Sequence, residues 1–104
     1  MSNALEVVGC KYSVHVTSDF KKDYKKILKQ GKDKRKLREV VIKLANKEKL
    51  DLRYNNHKLN DNKYFKDCYD IHIEPDWVLI YKYIDNELIL LLIDTGSHSE
   101  VLNM

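Results

Sequence analysis

The sequence is short of the residues that would give it a covalent or membrane-bound frame. Its two cysteines, Cys10 and Cys68, lie far apart and outside any CxxC spacing, so neither a disulfide framework nor a zinc-binding cysteine pair is indicated. Both read as reduced thiols, and Cys68, at the start of an apolar strand, reads as a small buried hydrophobe. No apolar run approaches the roughly 20 residues that span a bilayer, because Lys82 and Asp85 interrupt the longest candidate. The N-terminus carries no apolar stretch of signal-peptide length, so a cytoplasmic location with no membrane partner is expected. There is a single proline, Pro75, and no internal repeat or low-complexity tract.

What is present is enough for one small core. A chain of 104 residues, 43% hydrophobic and 34% charged, reads as a single globular domain, 1–104, with residues 1–10 expected to form a loosely ordered extension. The formal charge of +3 hides an asymmetry. Residues 20–49 hold 13 of the 19 lysines and arginines against four acids, whereas residues 50–104 hold five bases against ten acids. The basic surface is therefore one segment.

Residues 11–17 (KYSVHVT) alternate Tyr12, Val14 and Val16 with polar neighbours, the pattern of a half-buried strand in which His15 faces out. Ser18 or Asp19 can cap a first helix, whose stripe is Phe20, Tyr24, Ile27 and Leu28 and which Gly31 stops. Asp33 can cap a second, with Leu37, Val40, Val41, Leu44 and Ala45 in register, ending near Asn46. Residues 50–62 have no period and read as a long irregular connection. Strands follow over about 64–74, 77–83 and 88–94. Pro75 and Asp76 make the first tight turn, and Asp85 and Asn86 make the second. Apolar residues on both parities of 88–93 suggest a strand that is central or covered on both faces. The order β-α-α-β-β-β predicts an α+β layer, a helical hairpin on one face of a twisted, mainly antiparallel sheet of about four strands.

Titratable groups gather around Pro75. His57 lies in the irregular connection, His72 beside the turn and His98 after the last strand, and strand parity puts Asp70, His72 and Glu74 on one face. Imidazole titrates near neutral pH, so three histidines and a carboxylate offer an acid–base constellation. Closely spaced histidine pairs are lacking, so no metal site is expected. Trp77 has two open readings, core packing or stacking on a nucleobase. On the helices, Lys21, Lys22, Lys25 and Lys26 fall off the apolar stripe. Lys34, Arg35 and Lys36 occupy a first helical turn, where cations oppose the macrodipole. With Arg38 they form a candidate face for a polyanion such as RNA.

The segments His57-Lys58-Leu59, Asp70-Ile71-His72-Ile73-Glu74-Pro75-Asp76-Trp77-Val78-Leu79-Ile80-Tyr81 and Thr95-Gly96-Ser97-His98 resemble the YafQ branch of the RelE-type toxins of bacterial toxin–antitoxin pairs. The resemblance runs over nearly the whole chain from about Lys11. It implies a RelE-like fold and a ribosome-dependent mRNA interferase that needs no cofactor. A cognate acidic antitoxin of the DinJ or RelB kind would neutralise it, and operator DNA would be reached only through that complex. It implies catalytic roles for His57, His72, Asp76 and His98 and substrate contacts for Trp77, Lys58, Lys66, Lys82 and Leu102, the last standing where the family has a C-terminal phenylalanine. Metal-independent cleavage needs a base for the 2′-OH, an acid for the 5′-oxygen and a group to offset phosphoryl charge. Asp76 or His72 is the expected base, and His98 the acid or phosphate contact. Asp94 stands where the resemblance leads one to expect an arginine, and Tyr69 replaces another. The departures imply slow cleavage, with Lys66 or Lys82 as substitute cations, or else a toxin-fold module that binds without cutting.

Overall fold

The computed structural model describes residues 7–59, 67–97 and 101. Within them the elements run β1 (Ser13–Val16), α1 (Ser18–Lys29), α2 (Lys34–Ala45), a 3₁₀ turn (Leu52–Tyr54), β2 (His57–Lys58), β3 (Tyr69–Glu74), β4 (Trp77–Ile84), a second 3₁₀ turn (Asp85–Glu87) and β5 (Ile89–Gly96). The predicted order holds, with β2 added from inside the segment read as irregular. Residues 64–66 of the expected strand lie outside the described residues.

Local chemistry explains the boundaries. In β1, Val14 and Val16 are buried while Ser13 and His15 are exposed, so alternation alone places the strand. The cap of α1 is Thr17, one residue before the expected position. Its hydroxyl accepts from the Phe20 N–H at 3.0 Å and donates to the Ile93 carbonyl at 2.6 Å, so one side chain starts the helix and fastens it to β5. Asp33 caps α2 as predicted, accepting from the Arg35 N–H at 2.9 Å. Phe20, Tyr24 and Ile27 of α1 and Leu37, Val40, Val41, Leu44 and Ala45 of α2 are the buried stripes.

Among the described residues the sheet has five strands in the order β1-β5-β4-β3-β2, with β1 parallel to β5 and every other pair antiparallel. The helical hairpin covers one face, where Phe20, Leu37, Ile71, Trp77, Leu79, Leu90 and Leu92 make the main core. On the other face Cys68, Val78, Ile80 and Val101 form a smaller cluster with Leu59 and Ile93. The strand with apolar residues on both parities, β5, lies inside the sheet. Burial without alternation falls on β4, where every residue from Trp77 to Tyr81 is buried. Val7 packs into the main core, so the expected N-terminal extension is anchored by its seventh residue. The stretch read as irregular is likewise held: Tyr54 is buried, and the Tyr81 hydroxyl donates to Oδ1 of Asn56 at 2.6 Å.

Candidate active site

β2 and β3 align the first residues of the site. Their register sets His57 opposite Asp70, two positions before His72 on β3. Asp70, His72, Val78 and Ile80 share a face, as strand parity predicts. Glu74 does not. A register shift between His72 and Glu74 frees it from that parity, and its carboxylate reaches Lys32 at 3.0 Å and Lys36 at 2.7 Å on the helical hairpin. Those two lysines hold the Glu74 carboxyl below its ordinary range, Lys36 contributing most.

The Pro75–Asp76 turn, as predicted, folds back on His72. Nδ1 of His72 lies 3.3 Å from the Pro75 carbonyl oxygen. A carbonyl only accepts, so this contact requires the proton on Nδ1 and leaves Nε2 as the basic nitrogen. Nε2 lies 4.0 Å from Oδ2 of Asp70, a fully buried carboxylate. The ring is therefore held between a carbonyl at one nitrogen and a carboxylate near the other, which fixes its orientation at the turn. Asp76 is exposed on the turn itself.

Trp77 is a correction to the base-stacking reading. Its ring is fully buried, and Nε1 donates to the Thr95 hydroxyl at 2.9 Å, while that hydroxyl donates to the Val78 carbonyl at 2.8 Å. A ring with no exposed face offers no platform to a base. Instead it joins the Pro75 turn to the end of β5, the segment that leads to His98. His98, Lys66 and Leu102 lie outside the described residues. Lys58 is exposed, 3.9 Å from Asp67. Lys82 is half-buried near Cys68, where burial pushes the thiol up and the Lys82 charge pulls it back. The first-turn cations of α2 are opposed less starkly than the sequence suggests, because Arg35 pairs with Asp33 at 3.2 Å and Lys36 with Glu74. Lys22, Lys25, Lys26, Lys34 and Arg38 are exposed and Lys21 is half-buried. Among the described residues no three His, Cys, Asp or Glu side chains gather as metal ligands, and no described helix is long and apolar enough to cross a membrane.

Asp94 adds a carboxylate that no local pattern announced. It is half-buried on β5 and faces α1, where hydrogen bonding to Asp23 and the charges of Asp23 and Asp19 add to burial, the largest cause, to hold its carboxyl up at about 7. The Thr95 N–H, donating to Oδ1 at 2.8 Å, works the other way. Lys26 lines the same small cleft as Asp23 and Thr95. Between about pH 4 and pH 7 the folded state keeps a proton that the unfolded chain, with its ordinary carboxyl, has released. Stability from this group is thus greatest at acid pH and is lost as the pH rises through 7. Asp94→Asn is expected to match wild type near pH 4 and to exceed it at pH 8 by about 1 kcal/mol, allowing for screening of a half-exposed carboxyl. Thermal midpoints of the two proteins at pH 4, 6 and 8 check this; equal offsets at all three would show that Asp94 does not titrate between them.

The architecture, a helical hairpin on a mixed sheet with a histidine–carboxylate cluster at a proline turn, is RelE-like. The metal-bound toxin from Helicobacter pylori superimposes with a TM-score of 0.81 at 34% identity, over 86% of this chain and 98% of that one. A chain of the E. coli DinJ–YafQ complex does so with a TM-score of 0.76 at 34% identity, over 86% and 97%. In sequence, the mRNA interferase toxin YafQ of Escherichia coli (strain B / BL21-DE3) is 36% identical over 87 residues, 83% of this chain and 90% of that protein. The family described as the bacterial toxin of type II toxin–antitoxin systems, YafQ, matches residues 12–103, and the chain belongs to it.

Proposed function

We propose that this chain is a ribosome-dependent mRNA endoribonuclease, neutralised by a cognate antitoxin of the DinJ kind. The observation that carries the reading is the His72 environment. Its Nδ1 faces a carbonyl and its Nε2 approaches a buried carboxylate, so the ring is oriented by both neighbours beside the exposed Asp76 turn. The names of its relatives, an mRNA interferase and a DinJ–YafQ complex, support the substrate and the partner.

In this mechanism Nε2 of His72 removes the proton of a 2′-OH, and the oxygen attacks the adjacent phosphorus. His98, which follows β5 in the sequence, protonates the departing 5′-oxygen. The products are a 2′,3′-cyclic phosphate, or the 3′-phosphate formed from it, and a 5′-hydroxyl. His57 positions the substrate or shares the acid role, and Asp76, exposed beside the ring, contacts the ribose or serves as an auxiliary base. The basic hairpin meets rRNA or the antitoxin, and operator DNA is reached only through the antitoxin.

Primer extension on transcripts from cells expressing the toxin tests this. New 5′ ends are expected within translated messages, absent with His98→Ala and absent when translation is blocked. No new ends with wild type, or unchanged ends with His98→Ala, would refute it. A second reading, a toxin-fold module that binds without cutting, draws on Asp94, whose charge would repel a phosphate where a cation is expected. Growth inhibition that persists in a His57→Ala, His72→Ala, His98→Ala triple variant would establish that reading.

A further inference from the structure

A cleft of about 720 Å³ is lined by Lys36 and Glu39 of α2, Arg53 of the 3₁₀ turn, and His72 and Glu74 of β3. It lies along β3 past the end of the two-residue β2, where the sheet has an open edge. Arg53 comes from the 3₁₀ turn, and its setting is specific. Its backbone N–H donates to the Asp51 carboxylate at 3.0 Å, its guanidinium lies over the Tyr54 ring 4.9 Å from the centroid, and Nη2 donates to the Tyr54 hydroxyl at 3.0 Å. Tyr54 is buried, so the guanidinium rests against a fixed backing.

The acids around it have other partners. Glu74 holds Lys32 and Lys36, and Glu39 pairs with Lys43 at 3.7 Å. Among the described residues no carboxylate lies within salt-bridge distance of the Arg53 guanidinium. The arginine expected on the last strand is absent, with Asp94 in its place. A phosphate held near His72 therefore needs its cation from another element, and an oriented guanidinium that lines the same cleft as His72 has the right chemistry, a planar fork for two phosphoryl oxygens.

We propose that Arg53 is a phosphate-binding residue of this toxin, clamping the RNA backbone next to the scissile bond in the cleft that Arg53 and His72 both line. The proposal rests on the reading of His72 as part of an RNA-cleaving site.

The test measures binding and cutting separately. Binding is followed by fluorescence anisotropy with a 2′-O-methyl RNA decamer, which cannot be cut, over a range of salt; cutting is followed on ribosomes programmed with a natural message. Arg53→Ala is expected to weaken binding about tenfold and to reduce the salt dependence by about one phosphate contact. It should raise KM for cleavage and leave kcat within a few-fold. Arg53→Lys should keep the salt dependence and recover part of the affinity. His72→Ala should bind as wild type does while failing to cut. Wild type that does not bind the decamer at low salt, or Arg53→Ala that binds with unchanged affinity and salt slope, would overturn the proposal. So would Arg53→Ala and Arg53→Lys lowering affinity and melting temperature alike, which marks a folding role. If His72→Ala cuts as wild type does while Arg53→Ala still binds poorly, the catalytic reading fails and the phosphate contact stands.

Discussion

His72→Ala is expected to lower the rate constant of mRNA cleavage by about 10²–10⁴-fold, the usual contribution of one positioned acid–base group. The side chain is 17% exposed, and among its polar neighbours are the Pro75 carbonyl and Asp70, neither of which is part of the apolar core. The thermal midpoint should therefore stay within a few degrees of wild type. A single-turnover assay on programmed ribosomes, run beside a melting curve, separates the two quantities. A loss of less than tenfold would transfer the role of base to Asp76, and Asp76→Asn would then show the larger loss.

Trp77→Ala is the largest stability effect expected in the chain, about 3–5 kcal/mol for emptying a fully buried aromatic site, which approaches the whole stability of many small domains. The loss has three parts. A large ring leaves the main core, the Thr95 hydroxyl loses its donor, and the Lys32 ammonium, 5.9 Å from the ring centroid, loses the aromatic face beneath it. Trp77→Phe keeps most of the volume but not the hydrogen bond, and should cost about 1–2 kcal/mol. Urea unfolding of the three proteins gives these values directly. Since the ring is a structural tie and not a substrate wall, folded Trp77→Phe should cut at close to the wild-type rate. A hundredfold slower Trp77→Phe with an intact fold would restore the stacking role.

The elements that could be read in advance are those whose signal is local. Alternation in β1, two apolar stripes at helical spacing, Asp33 as a cap and Pro75–Asp76 as a turn each depend on a few neighbouring side chains, and each is found where it was expected. The misread features depend on partners distant in sequence. β2 is two residues long and exists because Asp70 and Tyr69 are there to pair with. The shift of register at His72 and Glu74, which turns Glu74 toward the lysines of the hairpin, has no sequence signature. Trp77 was ambiguous for the same reason: only the position of Thr95, 18 residues on, decides that the indole N–H faces inward. Of the site, the histidines and Asp76 were visible as a cluster of types. Asp70 shared strand parity with His72 and could have been added on that ground, whereas nothing local marked Arg53 or the meeting of Asp94 with Asp23.

The position of β5 bears on how such a protein is made. This strand lies between β1, near the beginning of the described chain, and β4, and it also takes the Thr17 hydroxyl bond that starts the first helix. Until residues 89–96 have left the ribosome, β1 has no neighbour and the sheet has no centre. The nascent chain therefore stays unassembled for most of its synthesis, since pairing between the ends of a chain is a late and slow event. A toxin of this family is in this way completed only when its closing strand arrives, so its harmful form exists no earlier than the last stage of its own assembly.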